Sequence, residues 1–269
     1  MKRARGCVVA IATVLVWAGL AQGQPGLPAP LREVGFDQNI GATLPLATEF
    51  RDEKGEVVAL GRYFGSRPVL LSLVYYECPM LCTMSLNGLV SSLRALELEP
   101  GRDFEIVTVS FEPREGPELA AAKKVHYVEE YGRAGAADAW HFLTGDAESI
   151  RALTETVGFR YVWDEVSKQY AHASGAIIVT PDGKLARYFY GIEYSPRDLR
   201  LGMVEASAGK LGGVVDQVLL YCYRYDPEAG SYAAVALNIV RAGGVATVLV
   251  IAVGILWMRR QERLRARTT

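Results

Sequence analysis

Two cysteines, Cys78 and Cys82, stand directly after an apolar run and open a helical pattern, and this junction constrains the fold more than any other feature. The apolar run at residues 68–76 has the length and side chains of a buried strand. Side chains at positions i and i+4 share one face of a helix, with Cβ atoms roughly 5–6 Å apart. The pair is therefore expected either to hold one soft metal ion or to form a disulfide.

The position of the pair also predicts its reactivity. A helix N-terminus favours negative charge, so it should lower the thiol pKa and raise the thiolate fraction of Cys78 and Cys82. Pro79 fits the first helical turn, where its missing N–H needs no partner. Thiolates are both the nucleophilic and the metal-binding form of cysteine, so metal binding and redox chemistry stay open at this point.

The two ends of the chain predict an exported, membrane-tethered protein. Residues 1–23 have the basic start, apolar centre and small-residue edge of a signal peptide, with an uncleaved anchor as the alternative. Residues 233–258 are expected to form a transmembrane helix, with a buried core helix as the alternative. The arginine-rich tail at 259–269 predicts a cytoplasmic C-terminus. The body should then be periplasmic or otherwise extracytoplasmic, held by a single span.

Charge excludes one class of partner for the body between these segments. The whole chain has 29 Lys and Arg residues and 30 Asp and Glu residues. Nine of the basic residues and one acidic residue lie in or beside the terminal segments, which leaves a net charge of about −9 on the body. Nucleic acid is therefore not an expected partner. About 200 residues remain, enough for one domain with a real core.

The order of predicted elements indicates an α/β fold with a mixed sheet. A linker at 24–42 precedes the domain at 43–210, and a juxtamembrane segment at 211–232 follows it. The domain opens with a hairpin at 43–60. The elements after it are strand 68–76, helix 79–98, strand 104–111, helix 117–131, strand 140–144, a helix capped by Asp146, strands 176–180 and 185–191, and a helix from Ser195. This order fits a thioredoxin-like fold, a mixed central sheet flanked by helices.

In a thioredoxin-like fold the functional cysteines lie on the first turn of the helix that follows a strand, where Cys78 and Cys82 stand. Their spacing is CxxxC, whereas thioredoxin has CxxC. The inner face of the helix is predicted to consist of Leu81, Met84, Leu86, Leu89, Leu93 and Leu96.

His172 is the expected third ligand. It precedes the strand at 176–180, and in a thioredoxin-like arrangement that loop faces the active-site helix. Two thiolates and one neutral imidazole suit copper, Cu(I) especially, although zinc could use the same three with a water as fourth ligand. His126 and His141 are expected to be structural or solvated. Met80 and Met84 could offer thioethers to copper in transit.

These residues resemble the SCO/SenC family of copper-handling proteins. The resemblance is carried by residues 76–82 (Tyr-Glu-Cys-Pro-Met-Leu-Cys), by the strand at 104–113, by His172 with the turn at 180–183, and by residues 188–191. It implies a thioredoxin-like fold and binding of Cu(I) or Cu(II) by Cys78, Cys82 and His172. The family's pattern usually has Asp and Pro where this chain has Met80 and Thr83.

The resemblance also implies a role. The chain would mature the dinuclear copper site of cytochrome c oxidase, delivering copper, reducing the target's cysteines, or both. Its partners would be the copper-bearing oxidase subunit, other periplasmic copper chaperones and thioredoxin-like reductants. The rival hypothesis is a thiol–disulfide oxidoreductase or peroxidase without a metal role, and a copper-dependent redox sensor is a third. Cys222 is expected to be a packed thiol, with docking to a partner as the alternative.

Overall fold

The computed structural model describes residues 33–78 and 80–211, and residues 244–245, 247–249, 251–255, 257–258 and 260 of a C-terminal helical stretch. The chain divides into two compact units, Glu33–Gln217 and the two terminal segments together. No helix among the described residues is both long and apolar enough to cross a membrane. The predicted signal peptide, Pro79 and Cys222 lie outside the described residues. The predicted span at 233–258 is described only in part and stays a prediction.

Ten strands and five α-helices make up the described part of the larger unit. The strands are β1 Gly35–Phe36, β2 Glu49–Arg51, β3 Val57–Ala59, β4 Val69–Val74, β5 Glu105–Ser110, β6 Trp140–Leu143, β7 Phe159–Asp164, β8 Gln169–His172, β9 Gly175–Val179 and β10 Leu185–Tyr190. The α-helices are α1 Leu81–Arg94, α2 Pro117–Tyr131, α3 Ala136–Ala139, α4 Ala147–Thr156 and α5 Pro196–Ser207. A short 3-10 helix, Leu60–Tyr63, follows β3.

The central sheet is mixed, as predicted, with the strand order β10-β9-β4-β5-β6. Strands β4, β5 and β6 run parallel, and β9 runs antiparallel to both β4 and β10. All six residues of β4 are buried, because it is the middle strand of the sheet. Helix α2 packs on α1 and β6, and helix α5 packs on β9 and β10.

Several predicted boundaries are confirmed because their capping residues act as expected. The side chain of Asp146 accepts the Ser149 N–H at 2.8 Å and begins α4. Ser195 caps α5 in the same way, with Pro196 in the first turn. The N-terminal hairpin forms as β2 and β3.

A second hairpin was missing from the prediction. Strands β7 and β8 pair with each other, and β7 also pairs with β1, in a three-stranded sheet separate from the central one. Aromatic side chains on both strands pack together, with the ring centroids of Tyr161 and Tyr170 5.5 Å apart and those of Trp163 and Tyr170 5.0 Å apart. Such cross-strand pairs stabilise a sheet. The hairpin carries His172 at its end.

Helix α1 presents two different faces to the rest of the domain. Leu86, Leu89 and Leu93 are buried, as predicted. Met84 was wrongly assigned to this face, since 45% of it is exposed. A narrow face formed by Ser85, Gly88 and Ser92 lies against residues 191–194.

Gly88 allows this close approach because it has no side chain. A Cβ atom built at this position would lie 1.6 Å from the backbone oxygen of Ile192. A backbone oxygen cannot rotate away as a side chain can, so the two segments would have to separate. The contact fixes the distance between α1 and the segment that follows β10.

We expect Gly88→Ala to lower the free energy of unfolding by at least about 2 kcal/mol, because overpacking outweighs the gain in helix propensity. Urea denaturation of the full chain measures this change. Asn87→Ala, at the adjacent exposed position of α1, is the control and should stay within about 0.5 kcal/mol of the unmodified protein. An unchanged unfolding midpoint for Gly88→Ala would contradict the tight packing.

Candidate metal centre

The strand pairing brings three distant segments to one edge of the central sheet. Because β4 and β5 are parallel, the loops that follow them leave from the same edge. Strand β9 is antiparallel to β4, with Ser72 opposite Ala176, so β9 begins where β4 ends. Cys78 follows β4, and His172 precedes β9. One ligand atom from each of Cys78, Cys82 and His172 lies within 4.8 Å of the other two.

The cysteines occupy different environments, which corrects the prediction that both lie on one helix face. Cys78 lies in a turn before α1, where its N–H donates to the Tyr75 carbonyl at 3.3 Å. Cys82 lies in the first turn of α1, and its N–H donates to the Cys78 sulfur at 3.4 Å. The amide at the helix N-terminus therefore does point at a sulfur, as the dipole argument requires.

The two thiols differ in pKa. The Cys82 thiol donates a hydrogen bond to Cys78, which, with the Cys82 N–H, holds the pKa of Cys78 well below its usual range. Burial raises the pKa of Cys82, and the negative charge of Cys78 raises it further. The expectation of a lowered pKa is thus confirmed for Cys78 and wrong for Cys82. Both cysteines are buried and free of any disulfide, and the opposite pKa shifts favour a thiolate at Cys78 and a protonated thiol at Cys82.

His172 turns its Nε2 atom toward the sulfurs. Its Nδ1 lies 2.8 Å from the carbonyl oxygen of Ala173, and its Nε2 lies 3.4 Å from the Cys82 sulfur. A carbonyl oxygen only accepts, so Nδ1 carries the proton in the neutral ring and Nε2 carries the lone pair. An outer carbonyl partner of this kind is what orients a histidine for metal binding. The rings of Tyr75 and Phe111 flank the imidazole, with centroids 5.7 and 5.2 Å away.

Glu115, which sequence reasoning missed, holds the turn before Cys78. Its carboxylate accepts the N–H groups of Tyr76 at 2.8 Å and Glu77 at 2.7 Å, and the Ser110 hydroxyl at 2.5 Å. Burial raises the pKa of Glu115, and these three hydrogen bonds oppose that shift. Its position in the loop after β5 was the one available signal, because that loop leaves the sheet beside the cysteine turn.

The other candidate residues do not belong to the group of three ligands. His126 is exposed on α2, and the His141 ring packs against Tyr63 with centroids 4.2 Å apart, in agreement with the predicted solvated and structural roles. Glu77 is exposed, and Met80 is 67% exposed. Among the described residues, Cys78, Cys82 and His172 form the one group of His, Cys, Asp or Glu side chains that could hold a metal ion.

Comparisons with known proteins agree with this arrangement. A family model described as SCO1/SenC matches residues 44–202, more than half of the chain. The fold is similar to that of a protein of Aquifex aeolicus VF5, at 22% identity over 64% of this chain and 96% of that one, with a TM-score of 0.56. A SCO1/SenC family lipoprotein of Bacillus anthracis str. Ames is similar at 16% identity over 64% and 99% of the two chains, with a TM-score of 0.51. BsSco is similar at 24% identity over 65% of this chain and 98% of that one, with a TM-score of 0.50.

These findings confirm the family resemblance read from the cysteine motif and the mixed α/β fold predicted with it. A comparison with curated protein sequences gives no match.

Glu115 should make stability depend on pH in a specific direction. Its pKa is raised above the ordinary value of 4.5, so its stabilising contribution is present below that value and is lost as pH rises through the folded pKa. The difference in unfolding free energy between the unmodified protein and Glu115→Gln should therefore fall from about pH 4 to about pH 7. Urea denaturation of both proteins across this range measures it.

The matched control for this series is Glu49→Gln, which removes an exposed carboxylate of β2. A Glu115→Gln difference that rises with pH would show that the hydrogen bonds, and not burial, dominate the carboxyl group.

Proposed function

This chain belongs to the SCO1/SenC family, and on that premise we propose that it binds one copper ion and serves in the assembly of cytochrome c oxidase. The observation that carries the proposal is the convergence of Cys78, Cys82 and His172 within 4.8 Å. The similar protein BsSco is described as a member of the Sco family of cytochrome c oxidase assembly proteins. The client would be the copper-bearing subunit of the oxidase.

The donor set favours copper over zinc. Soft thiolates with one imidazole suit Cu(I), which is satisfied by few ligands. Structural zinc sites are closed by four protein ligands, and a fourth His, Cys, Asp or Glu does not join this group among the described residues. The flanking rings of Tyr75 and Phe111 make the surroundings apolar, which disfavours a hydrated dication.

Each side chain has a distinct part in loading and release of the metal. The Cys78 thiolate makes first contact because it is already charged. Cys82 then gives up its proton, so binding exchanges one proton for one cation. His172 completes the set through Nε2. Release to the client follows by ligand exchange onto the client's thiolates, in which the two sulfurs leave the metal one at a time.

The same cysteines support a second candidate activity, thiol–disulfide exchange without a metal role. The observation that favours it is a thiolate at Cys78 beside a free thiol at Cys82, the arrangement of an attacking and a resolving cysteine. Attack on a client disulfide forms a mixed disulfide. Cys82 then displaces the client thiol, so the Cys78–Cys82 pair is oxidised and the client gains two thiols. Thioredoxin-like proteins would supply the electrons that restore the pair.

We also place the domain outside the cytoplasmic membrane, anchored by residues 233–258 with the arginine-rich tail in the cytoplasm. The support is the apolar pattern of that segment, followed by Arg259 and Arg260. Apolar side chains such as Val248, Ile251 and Trp257 are exposed in the helical stretch. A tether would raise the local concentration of domain and client on one membrane.

Copper binding is the first test. The purified chain should bind one copper per molecule, and Cys78→Ser or Cys82→Ser should abolish binding because a soft ligand is lost from a three-ligand site. His172→Ala should weaken copper affinity by at least about tenfold. Competition with a colorimetric Cu(I) chelator measures all three. His126→Ala, at an exposed histidine of α2, is the control, and full copper affinity in His172→Ala would remove the third ligand.

Insulin reduction, measured on the same preparations, separates the two candidate activities. Slow turnover together with tight copper binding supports the copper role. Fast turnover with copper affinity in the micromolar range or weaker would favour the oxidoreductase. In that case Cys82→Ser should trap a mixed disulfide through Cys78.

The topology has its own test. A phosphatase reporter inserted in the linker at 24–42 should be active, because the enzyme folds only outside the cytoplasm, and a C-terminal reporter should be inactive. The matched pair of fluorescent-protein fusions should show the opposite pattern. Activity of the C-terminal phosphatase fusion would reverse the proposed orientation.

A further inference from the structure

A line of hydroxyl groups joins the cysteine helix to the segment that carries His172. The Ser85 oxygen on α1 lies 3.2 Å from the Tyr194 hydroxyl and 2.8 Å from the Ser174 hydroxyl. Ser174 Oγ also lies 3.0 Å from the carbonyl oxygen of Gly191. Ser174 comes two residues after His172, and Ser85 comes three residues after Cys82.

The donors and acceptors in this line follow from the chemistry of the groups. A hydroxyl has one proton to donate, and a carbonyl oxygen only accepts. Ser174 Oγ donates to Ser85 Oγ and shares the same proton with the Gly191 carbonyl. Either hydroxyl of the Ser85–Tyr194 pair can be the donor. Hydrogen bonds joined in this way polarise and strengthen one another.

Both ends of the line are held by the backbone. The Gly191 N–H donates to the Ser174 carbonyl at 2.9 Å, which ties the segment after His172 to the end of β10. At the other end, the absent side chain of Gly88 lets the backbone of residue 192 approach α1. Ser85 and Tyr194 are buried, so water competes little for these bonds.

His172 needs such a link because its own strand does not fix the distance between the imidazole and the two sulfurs. Strand β8 pairs with β7, outside the central sheet. The hydrogen bond from Nδ1 goes to Ala173, the next residue, and moves with the histidine. The cysteines, by contrast, are set by β4, α1 and Glu115.

We propose that Ser85 and Ser174 are positioning residues, which set the distance between the His172 imidazole and the two sulfurs through their hydrogen bond. The proposal rests on the proposed copper function, because it assigns these serines to the third ligand of that site. Neither residue touches the metal-binding atoms. Removing the hydroxyl of either serine should leave the two sulfurs in place, and the imidazole should then move relative to them.

The test compares Ser85→Ala and Ser174→Ala with Ser92→Ala in the full-length protein. Ser92 is a matched control because it is a buried serine of the same helix that bonds to Tyr194 but not to Ser174. In the Cu(II)-loaded proteins, Ser85→Ala and Ser174→Ala should lose nitrogen hyperfine structure in the EPR spectrum, and the same loss is expected of His172→Ala. Their copper affinity should fall by at least about tenfold. Ser174→Thr keeps a hydroxyl and should therefore retain both the nitrogen hyperfine structure and the copper affinity.

A copper-free measurement separates failure of this proposal from failure of the copper function. In the metal-free protein, NOEs from the His172 ring to the rings of Tyr75 and Phe111 should weaken in Ser85→Ala and Ser174→Ala but not in Ser92→Ala. Absence of copper binding by the unmodified protein would reject the copper function and leave the NOE test standing. If copper binds through His172 and both serine variants match Ser92→Ala in EPR and NOEs, the positioning role is overturned.

Discussion

The centre depends on the direction in which three strands cross one edge of the sheet. Parallel β4 and β5 both end there, and antiparallel β9 begins there. This pairing places the cysteine turn, the loop with Glu115 and the segment after His172 side by side, although they are far apart in sequence. A one-residue slip of β4 would turn its buried side chains to the opposite face and move the turn with them. The apolar core of the sheet therefore sets the positions of the three segments that carry the site, independently of the ligand side chains on them.

Charge is distributed unequally over that edge. Both cysteines are buried, but hydrogen bonds favour the thiolate of Cys78, whereas burial and the charge of Cys78 favour the protonated thiol of Cys82. Glu115 adds a carboxyl group nearby, and its negative charge contributes to the raised pKa of Cys82. Two thiolates and a carboxylate in one apolar pocket would repel one another strongly. A cation that arrives as the Cys82 proton leaves relieves this repulsion, so the site is poised to take up positive charge.

The sequence predicted what local patterns encode. The apolar run of β4, the caps at Asp146 and Ser195 and the CxxxC spacing each carry a physical signal within a few residues. The features that the sequence could not predict depend on contacts between distant segments. The β7–β8 hairpin is stabilised by aromatic packing and not by a strong turn signal, with Lys168 in a left-handed conformation that favours glycine. Glu115, Ser85 and Ser174 have no local pattern, because the contacts that tie them to the site join residues 38 and 89 positions apart.

The three ligands differ in how firmly the fold holds them, and this difference suits the proposed transfer of copper to a client. The sulfurs belong to the junction of β4 and α1, where buried packing and the Glu115 hydrogen bonds set the backbone. The imidazole belongs to a separate small sheet and is linked to α1 through hydroxyls, each worth only about 0.5–1.5 kcal/mol net. Under a competing client thiolate, the nitrogen is the ligand whose loss costs least. Exchange would then begin at His172, and the more firmly held sulfurs would keep the metal until the client has bound it.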